Sequence, residues 1–100
     1  MFRVRTTVET KEHARMMAKA LVENKVAVSV HIREVEVICA YEGNIVDNIE
    51  YELDILTNTT QDLYDKLKYY HTYKVPEYLV DEVITIYSLE EWCNNWCENK

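Results

Sequence analysis

The chain has 100 residues, with 11 lysines and arginines against 18 aspartates and glutamates, for a formal charge of −7. This acidic surplus argues against nucleic acid or an anionic membrane as partner, because both bind clustered basic residues. Apolar residues make up 48% of the chain, which supports a hydrophobic core, and no apolar run reaches the roughly 20 residues of a membrane span. We expect one domain over residues 1–100. Three cysteines and a start without a signal-peptide pattern predict reduced thiols and a cytoplasmic location.

The first half of the chain predicts a strand, a helix and a long extended segment. Residues 2–8 alternate between apolar and polar side chains, as a half-buried strand does. Thr10 is expected to cap a helix whose apolar residues recur every three or four positions and which ends near Asn24. Residues 26–41 are extended in pattern, but their apolar positions change parity near Arg33. That change predicts a bulge or bend there.

The second half predicts a turn, a strand, a second helix, a further strand and a terminal helix. The only glycine of the chain places a tight turn at residues 42–44, and residues 49–55 then alternate most clearly of all. Thr60 is expected to cap the second helix. Residues 78–86 are extended in pattern, and Ser88 opens a capping box at the start of a short helix.

The resulting order predicts an α+β fold, a ferredoxin-like βαββαβ sandwich with a C-terminal helix. Right-handed crossovers then place the first and third strands side by side and antiparallel. Arg3 and Arg5 would lie beside Glu50, Glu52 and Asp54 on the sheet face away from the helices. The three carboxylates could bind a hard cation, but the matching arginines favour a ladder of charge pairs.

Several segments resemble the CutA family of divalent-cation tolerance proteins. His71–Glu77, read as HTYKVPE, resembles the family signature HPYxVPE, and Ala20–Val30 is similar to its ALVEExLAACVN segment. Tyr41–Ile45 stands where the family has WEGKI, Thr6–Thr7 matches its first-strand threonines, and Trp92 matches its C-terminal tryptophan. The resemblance implies a homotrimer of ferredoxin-like subunits, similar in architecture to PII signalling proteins, with strands paired across subunit edges.

The resemblance also implies a metal, because copper sites have been proposed in some members from a first-strand thiol and two adjacent histidines. The corresponding positions here are Thr6, Tyr70 and His71, so only His71 keeps a metal-binding side chain. Copper and zinc typically need about three or four soft or imidazole ligands. No cofactor is certain on this basis, and a divalent metal such as copper is the candidate that the resemblance implies.

Four other side chains could carry chemistry. Cys93 and Cys97 are four residues apart on a predicted helix, where they could hold a soft metal or simply pack as buried thiols. His13 is expected to be solvated on the first helix. His31 lies on a strand, where it is either an ordinary strand residue or one of three copies around a three-fold axis.

The candidate ligand site lies around the only proline, Pro76, where His71, Tyr73 and Glu77 cluster; Tyr41, at the turn, is a further candidate. In the alternative interpretation, Tyr73 and Pro76 merely fix the loop and a subunit contact.

Two hypotheses of function follow. The first is a CutA-like homotrimer in divalent-cation tolerance, with metal binding. The second is a PII-like regulatory module in which a small anionic ligand or a partner protein docks between subunits, without a metal role. We do not expect an enzyme, because a single glycine cannot build a phosphate loop and no nucleophile has a base in its sequence context.

Overall fold

The computed structural model describes residues 1–71, 77–84 and 88–98, and its elements follow the predicted order. No helix in these ranges is long and apolar enough to cross a membrane. The elements are β1 (Phe2–Val8), α1 (Lys11–Glu23), β2 (Ser29–Tyr41), β3 (Asn44–Thr57), α2 (Thr60–Tyr70), β4 (Leu79–Glu82) and α3 (Leu89–Glu98).

The four strands form one antiparallel sheet in the order β2-β3-β1-β4. The predicted central pair is confirmed, since β1 pairs with β3 from Phe2 to Val8. In the described part of the chain β4 pairs with β1 only from Phe2 to Arg5. The sheet therefore has β2 and β4 at its two edges, and the last residues of β1 lie beyond the reach of β4.

The hydrophobic core lies between one face of the sheet and helices α1 and α2. Alternate residues of the central strands point into it, among them Val4 and Leu53, and α1 adds Met17 and Leu21. Burying a side chain of this size stabilises the fold by roughly 1.5–3 kcal/mol. The opposite face of the sheet, here called the open face, bears the charged residues, and α3 packs against it at Leu56 through Cys93 and Cys97.

Of the two predicted helix caps, the one of α1 is confirmed and the one of α2 is wrong. Thr10 caps α1, its side chain accepting a hydrogen bond of 3.1 Å from a first-turn amide, and Asn24 ends the helix. Thr60 is not the cap of α2 but its first residue, because the cap position is Thr59. The Thr59 amide donates instead to the Thr57 hydroxyl at 3.0 Å, which fixes the chain just before the helix. A run of threonines does not reveal which one keeps the extended backbone of a cap.

Of the two alternatives predicted near Arg33, the bulge is wrong. Strands β2 and β3 pair without interruption from Ser29 opposite Leu56 to Tyr41 opposite Asn44. The change of parity therefore marks a change in which sheet face is apolar, while the backbone pairing stays regular.

The apolar face changes because the β2–β3 hairpin runs past the rest of the sheet. Val30 lies opposite Ile55 and faces the helices, whereas Val35 and Val37 belong to the open face. Pairing of β3 with β1 ends at Tyr51, so no third strand of the described part of the chain lies beside residues 35–50. We call this segment the arm; at about 3.3 Å per residue it extends roughly 20 Å.

The turn at the tip of the arm is the tight turn predicted from the sequence. Glu42 and Gly43 both have positive φ, 51° and 80°. Two such residues in a two-residue loop form a type I′ turn, whose twist matches that of the hairpin strands.

Candidate functional site

His71 ends α2 and contacts the part of β1 that β4 does not reach. Its Nε2 atom lies 2.9 Å from the Thr7 carbonyl oxygen and 3.1 Å from the Thr6 hydroxyl. A carbonyl oxygen can only accept a hydrogen bond, so Nε2 carries the imidazole proton and donates a hydrogen bond to the Thr7 carbonyl. Because β4 stops at Arg5 of β1, the imidazole occupies the next position along that strand.

A second histidine binds the same helix end. The Nε2 atom of His13 lies 3.0 Å from the Tyr70 carbonyl oxygen, and by the same reasoning it donates. The prediction of a solvated His13 is therefore wrong: the side chain is half-buried, because its flank of α1 packs toward α2. Together His13 and His71 tie the end of α2 to α1 and β1.

The surroundings of His71 favour the neutral imidazole. Burial is the main cause of its lowered pKa, and a charge on His13 acts in the same direction. The Thr7 carbonyl and the buried Glu50 carboxylate oppose the shift without reversing it. His71 therefore serves as an uncharged hydrogen-bond donor near pH 7.

The open face carries the predicted charge ladder. Arg3 donates to the Asp54 carboxylate through Nε at 3.1 Å and also through Nη2, and Arg33 donates from the next strand through Nη2 at 3.0 Å. Burial of the Asp54 carboxylate works to raise its pKa, but the hydrogen bond and charge of Arg3 and the charges of Arg33 and His31 outweigh it. The pKa of Asp54 therefore lies below its ordinary value.

Sequence reasoning missed Arg33 as a member of this ladder. The signal was present: in an unbroken hairpin Arg33 falls opposite Glu52 on the open face. Interpreting the parity change as a bend hid that relationship. Arg5, the other predicted member, pairs instead with Asp81 of β4 at 3.0 Å.

The two cysteines of α3 are buried thiols that pack against Val28 and Leu56. Burial, together with the neighbouring Cys97, raises the pKa of Cys93 to about 12. A protonated, buried thiol is a poor metal ligand, since metals bind the thiolate. Of the two interpretations, the structure therefore favours packing.

The family follows from comparison with known proteins. The model of the CutA1 divalent ion tolerance protein family matches residues 2–99. The chain belongs to this family. No curated protein sequence matches the chain.

Solved CutA structures share the fold. The divalent cation tolerance protein of Thermus thermophilus is 32% identical, with 93% of this chain and 95% of that chain covered and a TM-score of 0.85. The PII-like protein CutA from Nostoc sp. PCC 7120 is 27% identical, with coverages of 94% and 91% and a TM-score of 0.82. The periplasmic divalent cation tolerance protein CutA from Archaeoglobus fulgidus, at 22% identity, coverages of 97% and 99% and a TM-score of 0.90, agrees in fold alone. The predicted CutA-like and PII-like α+β fold is confirmed.

The residues that correspond to the CutA copper positions do not fit a copper ion within one chain. Thr6 and His71 are in contact, but the contacting atom is Nε2, which already donates to Thr7. A threonine hydroxyl does not replace a thiolate as a soft ligand. Across residues 1–71, 77–84 and 88–98, no group of three histidine, cysteine or acidic side chains is placed to hold a metal ion.

The remaining ligand-site candidates are spread over the CutA fold. His71 is half-buried, Glu77 is exposed, and Tyr73 lies outside the described residues. Tyr41 is 46% exposed at the tip of the arm. Arg33 of β2 and Thr7 of β1 both pair with Glu52 of β3, so they lie at the same height in the sheet. Tyr41 lies eight residues further along β2, which puts roughly 26 Å of strand between Tyr41 and the His71 region. One chain therefore does not bring Tyr41 and His71 together.

Proposed function

We propose that this CutA1 family member is a cytoplasmic homotrimer that supports divalent-cation tolerance by binding a small ligand or a partner protein between its subunits. The observation that carries the proposal is the arrangement of the two sheet edges. In this view the chain has a binding role, not a catalytic one, and no single subunit chelates the metal.

Each of the two outer strands offers one edge to a further strand. Within the described residues, β2 pairs only with β3 and β4 only with β1. Leu79 and Val80 of β4 are 51% and 43% exposed. Uncovered strand edges with apolar side chains favour further pairing. Pairing β2 of one copy with β4 of the next satisfies both edges by one repeated contact, and a head-to-tail contact of this kind forms a ring when the rotation between copies closes. The family resemblance supports a ring of three.

The strand directions determine which residues meet in such a ring. β2 runs parallel to β1, and β4 runs opposite to both, so β2 and the neighbouring β4 would pair antiparallel. The base of one arm would then pass the start of the neighbouring β4 at Leu79. His71 and Glu77 lie just before that point in the chain, so the proposed cleft lies between them and Val35 of the next copy.

Tyr41 has a different place in this arrangement. It lies beyond the proposed cleft, at the tip of the arm, and we keep it as a candidate contact for a partner protein. The exposed Ile45, which lies near the same tip, enlarges the apolar surface there.

The metal alternative has a structural cost. A copper or zinc ion at His71 would need ligands from more than one subunit, because one described chain does not provide three. If the ion bound at Nε2, the imidazole would also have to give up its hydrogen bond to Thr7. These two requirements favour an organic ligand or a peptide over a metal ion in this cleft.

The test combines light scattering with calorimetry on one sample. We expect the mass of three chains and no stoichiometric binding of Cu²⁺ or Zn²⁺. His71→Ala and the matched variant His13→Ala should then give the same flat metal titrations. Saturable metal binding that is lost in His71→Ala alone would contradict the metal-free role, and a monomer would contradict the trimer.

A further inference from the structure

The two cysteines of α3 lie at the centre of a small buried cluster of their own. Cys93 is completely buried and Cys97 is 2% exposed. Their cluster is separate from the main core between the sheet and helices α1 and α2. It also contains Val28, and three partly buried side chains pack against it, those of Met1, Leu56 and Trp96. The cleft proposed above uses neither thiol.

The spacing of the two thiols suits a single ion held between them. Side chains four residues apart on a helix share one face, with Cβ atoms roughly 5–6 Å apart. After burial and the charge of Cys97, a hydrogen bond between the two thiols also raises the pKa of Cys93, so their sulfur atoms are in contact. Two metal–sulfur bonds of about 2.3 Å each bridge a gap of roughly 4 Å between such atoms.

Met1 brings a further soft donor to the same cluster. Its side chain packs against the cluster of the thiols, and its main chain is fixed because the Met1 carbonyl accepts a hydrogen bond of 3.0 Å from the Val83 amide. Cysteine thiolates and methionine thioethers are the ligands that select Cu(I). The start of β1 and helix α3 therefore bring three sulfur-bearing side chains together within one chain.

The small number of ligands distinguishes Cu(I) from the divalent ions considered above. A structural zinc site typically has about four ligands, whereas Cu(I) is held by about two or three sulfur atoms. The raised pKa of Cys93 means that an entering ion must displace a proton, which favours the ion that forms the strongest bonds to sulfur. Packing is therefore the state of these thiols without an ion, and a soft monovalent cation is the ligand that suits them.

We propose that Cys93 and Cys97 bind one Cu(I) ion per chain. Each thiol loses its proton to the solvent as a copper–sulfur bond forms, and the copper stays monovalent. The site lies within one chain, so it goes beyond the proposed function and does not rest on the trimer.

The ion reaches the buried thiols through local opening of α3. Side-chain hydrogen bonds hold this helix, from Asn58 to Asn94 at 2.8 Å and from the Trp96 indole to the Val22 carbonyl at 3.0 Å. A helix held by a few side-chain contacts opens more readily than the central strands of a sheet do. Uptake of Cu(I) is therefore slower than its binding to an exposed thiol.

Transfer of Cu(I) from its coloured bicinchoninate complex, measured without oxygen on the full chain, tests the site. We expect the wild type to remove one Cu(I) per chain, and Cys93→Ala or Cys97→Ala to abolish this transfer. Cys39→Ser is the matched control, because it removes the exposed thiol of the arm, and it should take up copper as the wild type does. Uptake that is lost in Cys39→Ser, or kept in both alanine variants, would overturn the proposal.

Denaturation of the wild type with and without Cu(I) gives a second test that needs no cysteine variant. An ion bound in the folded cluster raises the denaturation midpoint, whereas an ion that binds only the unfolded chain lowers it and contradicts the site. Circular dichroism confirms that the alanine variants are folded. A folded wild type that takes up no Cu(I) overturns this site and leaves the trimer and its cleft intact. A monomer that binds Cu(I) supports the site and overturns only the proposed function.

Discussion

Arg33 and Asp54 form an ion pair across β2 and β3, with the guanidinium Nη2 and the carboxylate Oδ2 3.0 Å apart. Arg3 binds the same carboxylate from the other side, so one buried aspartate joins the three strands β2, β3 and β1 on the open face. An acidic side chain that is almost fully buried requires such partners, because it would otherwise lose its hydration without compensation. This carboxylate is therefore the main polar link between the central strands and the base of the arm.

Asp54→Asn should lower the free energy of unfolding by roughly 1–3 kcal/mol, because the amide cannot accept charge-assisted hydrogen bonds from both arginines. Guanidinium denaturation at one protein concentration measures the change. Asp81→Asn is the control: its ion pair with Arg5 is exposed, and its loss should cost less than about 1 kcal/mol. Equal costs for the two variants would contradict the role of Asp54.

His71 should make the protein less stable in mild acid. Its pKa is lowered on folding, so the unfolded chain takes up the proton first. The neutral imidazole contributes its full share to the free energy of unfolding above the ordinary histidine pKa of 6.5. That share is lost as the pH falls from there toward the lower pKa of His71 in the folded protein. Denaturation midpoints between pH 8 and pH 5 measure the effect.

His71→Gln should flatten this pH dependence, because glutamine can donate a hydrogen bond but does not titrate. Tyr69→Phe, an exposed change on the same helix, should keep the wild-type dependence. A His71→Gln variant that loses stability below pH 6.5 as steeply as the wild type would show that another group is responsible.

The arm should control assembly. Val37 belongs to the open face of the arm, and Val37→Glu places a charge on a surface that the proposed trimer covers. We expect the trimer to dissociate at a higher protein concentration than the wild type, as measured by molar mass over a dilution series. Lys66→Gln lowers the net charge by the same one unit on the exposed side of α2 and should leave the mass unchanged. An intact Val37→Glu trimer at every dilution would argue against arm contacts.

The thiols should react unequally with a thiol reagent. Cys93 and Cys97 are buried, and the raised pKa of Cys93 keeps its reactive thiolate scarce at pH 8, whereas Cys39 is exposed on the arm of the single chain. We expect at most one thiol per folded chain to react rapidly, and that reaction to disappear in Cys39→Ser. In denaturant all three thiols should react. Rapid modification of two or more thiols in the folded protein would contradict the packing of α3.

The amino-acid sequence by itself determined the order of the elements and the family. Alternation with period two and recurrence with period 3.6 are local properties, so the strands and helices could be predicted from neighbouring residues. The motif from His71 to Glu77 marked one candidate site residue that the structure places against β1. The pairing of Arg3 with Asp54 also followed from topology, because the crossover rule fixes which strands are neighbours.

Only the tertiary structure decided which partners these residues have. The contact of His13 with the end of α2 joins positions 57 residues apart, and no local pattern specifies it. The neutral state of His71, the part played by Arg33 and the distance of Tyr41 from His71 all depend on how far each strand extends beside its neighbours. The hydrophobic pattern records which positions are apolar, but the face that each position occupies depends on the register between strands, which long-range pairing sets.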